Sequence, residues 1–119
     1  MKTKQEILQI INYSTGTNGY HKFSPFPNYP TITDGVKAIA DAAGCYWLLD
    51  IIGSHQSNDK LDPNFQVWKL VVKPDRSAAV RGYNDKTRII TEKIEWTDFP
   101  LDELKLYLIG NVILLPGEY

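Results

Sequence analysis

The pattern of hydrophobic and polar positions divides the chain into a helical first half and a strand-rich second half. Up to about residue 56, apolar side chains recur at intervals of three and four, the period of a helix that buries one side. From residue 65 onward they alternate with polar side chains, the period of a half-buried strand. The sequence therefore predicts an α+β fold, with two to three N-terminal helices packed on one face of a roughly five-stranded antiparallel meander sheet.

Three helices are predicted in the first half, at residues 4–13, 34–43 and 46–56. Thr3 and Thr33 stand where helix N-caps are needed, and Gly44 stands where the second helix should end in the left-handed conformation. The third helix is the most apolar, because Trp47 and Ile51 lie one turn apart beside a second apolar pair with the same spacing. We expect this helix to lie in the core.

Two segments of unlike composition connect the first two helices. Residues 14–19 are all turn formers and should end the first helix. Residues 20–32 contain three prolines, which exclude a regular central strand, together with five large aromatic or apolar side chains. We expect an ordered loop lying over the domain, with Tyr20 to Phe23 pairing at a sheet edge.

Five strands are predicted in the second half, at residues 65–73, 78–83, 88–96, 104–108 and 112–116. A corner at Pro100 precedes the fourth, and Gly110-Asn111 predicts a type II′ hairpin before the fifth. We expect one antiparallel sheet in sequential order, with the second and third helices on the face that carries Trp68.

Composition and charge narrow the class of protein. A chain of 119 residues with 43% hydrophobic content is expected to form one domain, and its single cysteine excludes an internal disulfide. No apolar run approaches the ~20 residues of a membrane span, so a soluble, cytoplasmic protein is expected. The 13 basic and 14 acidic residues are scattered along the chain, which argues against nucleic-acid binding.

Five ordered stretches resemble a family: TDGV, GCYWLLD, FQVWKL, TDFPLDELKLY and VILLPGEY. Together, from about Tyr20 to Tyr119, they resemble an uncharacterised domain-of-unknown-function family (DUF 6876) of small bacterial and phage proteins, often carried on mobile elements. The chain departs from the family pattern at Cys45, where alanine is commoner, and at Gly117, where serine is commoner. The resemblance implies a fold and a setting but no chemistry.

Asp50 and His55 are the most conspicuous polar residues of the third helix. Five positions apart, they project about 140° from each other, so they do not form an acid–base pair unaided. A structural role is favoured, in which Asp50 accepts a hydrogen bond from a tryptophan indole or a backbone amide. His55 would then benefit from the helix C-terminus.

Metal, cofactor and nucleophile motifs are weak in this sequence. His21 and His55 could be combined with Asp34 or Glu118, but no metal-ligand spacing supports that set. No glycine-rich phosphate loop and no nucleophile elbow is present in the sequence. We therefore expect no metal and no cofactor.

A ligand pocket with aromatic walls is one alternative. Its candidate residues are Tyr46, Trp47, Asp50, His55 and Trp68. The competing and favoured interpretation is that Trp47, Trp68 and Trp96 all face the core between helices and sheet.

A second candidate surface is the sheet face that the helices do not cover. Alternation places eight apolar residues there: Phe65, Val67, Val71, Ile89, Tyr107, Ile109, Ile113 and Leu115. Either the loop 20–32 covers them or a partner does, and the favoured occupant is a second copy of the chain. Val71, Tyr107 and Ile109 are the candidate partner-binding residues. The corner at 98–101 and the terminal pair 118–119 are further candidates for recognition.

Two functions of different class follow. The favoured one is a non-catalytic interaction or accessory protein of a phage or mobile genetic element, with an unidentified protein partner. The alternative is a small ligand-binding domain or enzyme that uses Asp50 in the aromatic-walled pocket.

Overall fold

The computed structural model describes residues 4–13 and 19–119. The described helices are α1 (Lys4–Tyr13), α2 (Asp34–Ala43) and α3 (Tyr46–Ser54). The strands are β1 (Tyr20–Lys22), β2 (Thr31–Thr33), β3 (Gln66–Val72), β4 (Ala78–Asn84), β5 (Thr87–Ile94), β6 (Glu103–Ile109) and β7 (Val112–Leu114). A 3-10 turn, Pro116–Glu118, follows β7. Three helices and a seven-stranded mixed sheet confirm the α+β class.

Local signals placed the helices correctly. The bounds of α1 and α2 are those predicted, and α3 ends two residues earlier than predicted. The Thr33 hydroxyl accepts a hydrogen bond from the Val36 amide at 3.3 Å, and Gly44 adopts φ 63°, so both predicted caps of α2 are confirmed. The predicted cap Thr3 and the turn residues 14–18 lie outside the described residues.

The order of the strands differs from the prediction. The sheet runs β1-β2-β7-β6-β3-β4-β5, so β6 lies beside β3 and not beside β5. Strand β2 pairs with β7 in parallel, which makes the sheet mixed. The predicted sequential antiparallel order is therefore correct within β3-β4-β5 and within the β6–β7 hairpin, but it is wrong in placing β6 beside β5 and in making the sheet wholly antiparallel. The sheet also has seven strands where roughly five were predicted.

The segment between β5 and β6 explains the changed order. Phe99 and Leu101 are buried, and Arg76 in the β3–β4 turn donates hydrogen bonds to the carbonyls of Thr97 and Phe99. The Val72 amide at the end of β3 donates to the Asp102 carbonyl at 2.8 Å. The chain thus passes the ends of β4 and β3 before it enters β6. The prediction of a solvent-facing corner at 98–101 is wrong for Phe99 and Leu101.

The core lies between the helices and the sheet face that carries Trp68, as predicted. Leu70 and Ile94 pack on that same face. Trp68 is 1% exposed, but Trp96 is 65% exposed and Trp47 is half-buried. The prediction of three core tryptophans is wrong for Trp96, because β5 ends at Ile94 and the chain turns away there.

The proline-rich segment packs on a helix and not on the open side of the sheet. A Cβ on Gly53 of α3 would lie 2.5 Å from the Tyr29 ring, so the ring needs glycine there. The rings of Phe23 and Phe26 lie 5.9 and 5.3 Å from that of Tyr29. The predicted edge pairing near Tyr20 is confirmed, because β1 is an edge strand.

The hairpin between β6 and β7 contains a different turn from the predicted one. Gly110 and Asn111 both have positive φ, at 56° and 64°, which is the signature of a type I′ turn and not of the predicted type II′.

Within residues 4–13 and 19–119, no helix is long and apolar enough to cross a lipid bilayer.

Candidate functional site

The sheet face opposite the helices, here called the open face, carries a row of three cations. Lys69 of β3 lies directly across from Lys105 of β6 on one side and from Arg81 of β4 on the other. Like charges that face each other across strands repel. Among the described residues, none of the three forms an ion pair with a carboxylate. This cation row (Lys105, Lys69, Arg81) is therefore a concentration of charge that the described part of the fold leaves unneutralised.

An aromatic row runs beside the cation row, two residues further along the same strands. It consists of Tyr107 and Tyr83 on either side of Val67. The Lys69 Nζ lies 5.4 Å from the centroid of the Tyr83 ring, and the Lys105 Nζ lies 5.4 Å from that of Tyr107. These contacts place each ammonium against the ring of a neighbouring tyrosine.

Lys69 and Lys105 of the cation row and both tyrosines of the aromatic row line a depression of about 360 Å³. Phe65 extends its wall, with its ring centroid 5.3 Å from that of Tyr107. Lys86 and Asp85 stand at the rim. Arg88 and Lys93 of the edge strand β5 share the face, as does Glu103 of β6, and Glu95 lines a second depression with Arg81. The cations on this face thus outnumber the carboxylates.

The predicted membership of the open face is correct for five of the eight residues: Phe65, Val67, Val71, Tyr107 and Ile109. It is wrong for the other three. Ile113 and Leu115 are fully buried, because Ile113 pairs with Leu108 on the core side and Leu114 takes the open side. Ile89 stands at a bulge in the β4–β5 pairing and packs against the core.

The residues proposed from sequence as one ligand site are divided among three places. Trp47 and Asp50 do come together, in a groove of about 530 Å³ that Trp96 and Asp98 also line. Asp50 is exposed, and the Trp68 indole donates instead to another residue. The predicted hydrogen-bonded position of Asp50 within the apolar run is therefore wrong.

His55 and Trp68 form a second place, between α3 and the sheet. Their rings stack with centroids 6.1 Å apart, and the His55 Nε2 lies 3.1 Å from the Glu92 Oε1. The Trp68 indole donates to the Gln66 Oε1 at 2.9 Å, and Gln66 exchanges amide hydrogen bonds with Gln56. Sequence reasoning missed Gln66, although a glutamine in the core-facing register of a strand is an unusual residue there.

Tyr46 occupies the third place, where α2 meets α3. Its hydroxyl donates to the Asp41 carboxylate, which also accepts from the Lys37 Nζ at 2.9 Å. These two hydrogen bonds lower the pKa of Asp41, with that from Tyr46 the larger effect. Desolvation, followed by the hydrogen bond to Asp41, raises the pKa of Tyr46 to about 12.

The residues considered as metal ligands are not brought together. The His21 Nε2 lies 2.6 Å from the Asp34 Oδ1, whereas the His55 Nε2 lies beside Glu92 of β5. Glu118 accepts hydrogen bonds from the Thr33 hydroxyl at 2.7 Å and from the amides of Leu115 and Gly35. In the described segments, no three histidine, cysteine or acidic side chains converge as a metal site would require.

Comparison with known proteins gives one finding. No curated protein and no solved structure matches the chain. A family model does match, over residues 5–119, which is nearly the whole length and includes both the open face and the groove. The chain therefore belongs to the Family of unknown function (DUF6876).

Proposed function

We propose that the protein is a non-catalytic binding protein whose open face holds a partner. The observation that supports this most is the cation row, in which Lys69 lies between two further cations with no carboxylate paired to it in the described residues. Repulsion among the three cations destabilises the folded chain. An anionic group of a partner that binds there would relieve that repulsion and would be attracted by all three cations.

Both histidines, Glu118 and the cysteine are already engaged or buried in the part of the fold that the structure describes. His21 contacts Asp34, His55 contacts Glu92, and Glu118 holds the segment after β7 against the start of α2. Cys45 is buried, and burial raises the pKa of its thiol to about 12. A thiol with that pKa is a poor nucleophile, which favours binding over covalent chemistry.

Apolar side chains complete the proposed surface. Val71, Tyr107 and Ile109 are all half-buried and lie on the open face, on either side of the cation row. Surfaces that bind macromolecules combine apolar and aromatic side chains with charged ones in this way. We place this binding protein in the cytoplasm of a bacterium, as an accessory protein of a phage or mobile element, on the basis of the sequence resemblance and the single buried thiol.

Site-specific photo-crosslinking in cells of the source organism tests the proposal. A photoreactive phenylalanine replaces Tyr107 on the open face or, as the matched control, Tyr13, which is 82% exposed on α1. We expect adducts from position 107 and none of the same mass from position 13. Adducts that also vanish with Lys69→Glu locate the partner on the cation row. Equal labelling from both positions would contradict a partner surface on the open face.

The groove beside α3 supports a second candidate function, the binding of a small organic cation. The half-buried Trp47 and the exposed Trp96 both line the groove, together with the carboxylates of Asp50 and Asp98. Aromatic faces combined with carboxylates favour an alkylated ammonium group.

Titration with tetramethylammonium, followed by tryptophan fluorescence, tests this candidate. We expect saturable quenching in the wild type and a several-fold weaker response in Asp50→Asn. Because Asp50 is exposed, that substitution should change the free energy of unfolding by less than about 0.5 kcal/mol. Quenching that is linear in concentration, or identical in the variant, would exclude the groove.

A further inference from the structure

From the two parallel rows on the open face, we propose that the partner is a single-stranded nucleic acid. The inference rests on the proposed function and specifies its ligand. It assigns the phosphate backbone to the cation row and the bases to the aromatic row. The scattered charges that argued against nucleic acid in the sequence are gathered by strand pairing into one basic surface.

The cation row has the geometry of a backbone-binding track. Lys105, Lys69 and Arg81 lie on three adjacent strands, so the backbones that carry the three charges are about 4.8 Å apart across the sheet. On the edge strand β5, Thr91 lies across from Arg81, and two further cations stand on either side of that position, Arg88 across from Tyr83 and Lys93 across from Ala79. A strand of nucleic acid that crosses the sheet at right angles to its strands therefore meets successive cations.

The aromatic row lies at a suitable distance from that track. It is offset by two residues along the strands, which corresponds to about 7 Å. Tyr107 and Tyr83 are two strands apart, so roughly 10 Å separates the backbones that carry the two rings. Both tyrosines are only half-buried, and the depression between them is open to solvent. Rings placed beside a cationic track are the elements that sequence-tolerant single-strand binders use.

The same features distinguish this ligand from an acidic peptide. The carboxylates of an acidic peptide would neutralise the cation row, but they would not stack on the rings of the aromatic row. A nucleic acid uses both, because each nucleotide brings one phosphate and one base that stacks. Double-stranded DNA fits less well, because its bases are stacked on each other and do not reach the tyrosine rings.

Fluorescence anisotropy tests the inference. The probes are labelled twelve-nucleotide oligo(dT) and oligo(U), and a blunt-ended DNA duplex serves for comparison. We expect both single strands to bind more tightly than the duplex. If three phosphates are contacted, affinity should fall roughly 20-fold between 50 and 200 mM NaCl. The relative affinity of the two strands shows whether DNA or RNA is preferred.

Variants test the role that is proposed for each row. Lys69→Gln with Arg81→Gln should weaken binding at least tenfold and flatten the salt dependence. Lys60→Gln, an exposed lysine in the loop after α3, should change little. Tyr107→Leu should weaken binding several-fold while the salt dependence stays that of the wild type, because stacking and not charge is removed. Circular dichroism melts confirm that each variant is folded.

Several results would overturn the inference. One is wild-type affinity in the Lys69→Gln, Arg81→Gln variant, and another is polyglutamate competing as well as an oligonucleotide of equal charge. If no oligonucleotide binds at 50 mM NaCl while crosslinks from position 107 join a protein, the nucleic-acid inference is wrong and the proposed function stands. If position 107 gives no adduct and no oligonucleotide binds, both are wrong.

Discussion

Lys69 shows how a single residue can oppose the stability of the sheet that holds it. It faces Lys105 on one neighbouring strand and Arg81 on the other, and the contact of its ammonium with the Tyr83 ring offsets part of that repulsion. Lys69→Glu would replace two repulsive cross-strand pairs by two attractive ones. We expect the free energy of unfolding to rise by about 0.5 to 1 kcal/mol, while binding at the open face is lost.

Urea unfolding followed by tryptophan fluorescence measures this change. Lys60→Glu makes the same charge change in an exposed loop and serves as control. A destabilised Lys69→Glu protein would show that the cation row is satisfied within the fold, and would remove the main support for a partner surface there.

Cys45 gives a prediction about pH at the same scale. Burial raises the pKa of its thiol from 9.0 to about 12, so above pH 9 the unfolded chain loses a proton that the native thiol retains. The protonated, buried thiol therefore contributes fully to the free energy of unfolding below pH 9, and this contribution is lost as the pH rises toward 12. Between pH 7.5 and pH 10, the free energy of unfolding of the wild type should therefore fall by roughly 1 kcal/mol more than that of Cys45→Ala. Parallel urea titrations at the two pH values measure the difference, and equal losses would contradict a buried, protonated thiol.

At the scale of elements, the packing of β3 against β4 depends on a glycine. A Cβ on Gly82 would lie 2.7 Å from the Trp68 ring, which is 1% exposed and is fixed by its hydrogen bond to Gln66. Because the ring has no free space to move into, Gly82→Ala should cost about 1 to 3 kcal/mol. Trp68→Phe replaces the indole by a smaller ring that leaves room for the added methyl group. The free energy of unfolding of the double variant should therefore fall by less than the sum of the decreases in the two single variants. Thermal or urea unfolding of all three variants completes the cycle, and strict additivity would show that the two residues do not share this contact.

The helices could be predicted because their signals are local. The period of apolar residues, the Thr33 cap and Gly44 all lie within a few residues of the helix they define, so α2 begins and ends where the sequence indicates. The strands of the second half could be placed for the same reason, since alternation is a property of each segment alone.

Strand order, and with it most of the candidate site, is not a local property. A sequential order would have placed β6 beside β5, with Lys105 far from Lys69. Their contact depends on the buried crossing segment, whose carbonyls are held by Arg76 in a distant turn. The groove was partly predictable, because Trp47 and Asp50 are three residues apart on one helix, but Trp96 reaches it only because β5 ends early.

At the scale of the whole molecule, a nucleic acid and a second copy of the chain are the two occupants proposed for the open face, and the effect of salt on binding distinguishes them. A two-fold dimer through this face would bring one cation row toward the other, so its formation should strengthen when salt screens the repulsion. Binding of a polyanion should weaken under the same change. We therefore expect light scattering after size exclusion to show a monomer at 50 mM NaCl. A dimer that appears only at 500 mM NaCl, and that Val71→Lys with Ile109→Lys converts to a folded monomer, would instead assign the face to self-association. A dimer that is equally strong at both salt concentrations would place the contact between the two copies away from the cation row.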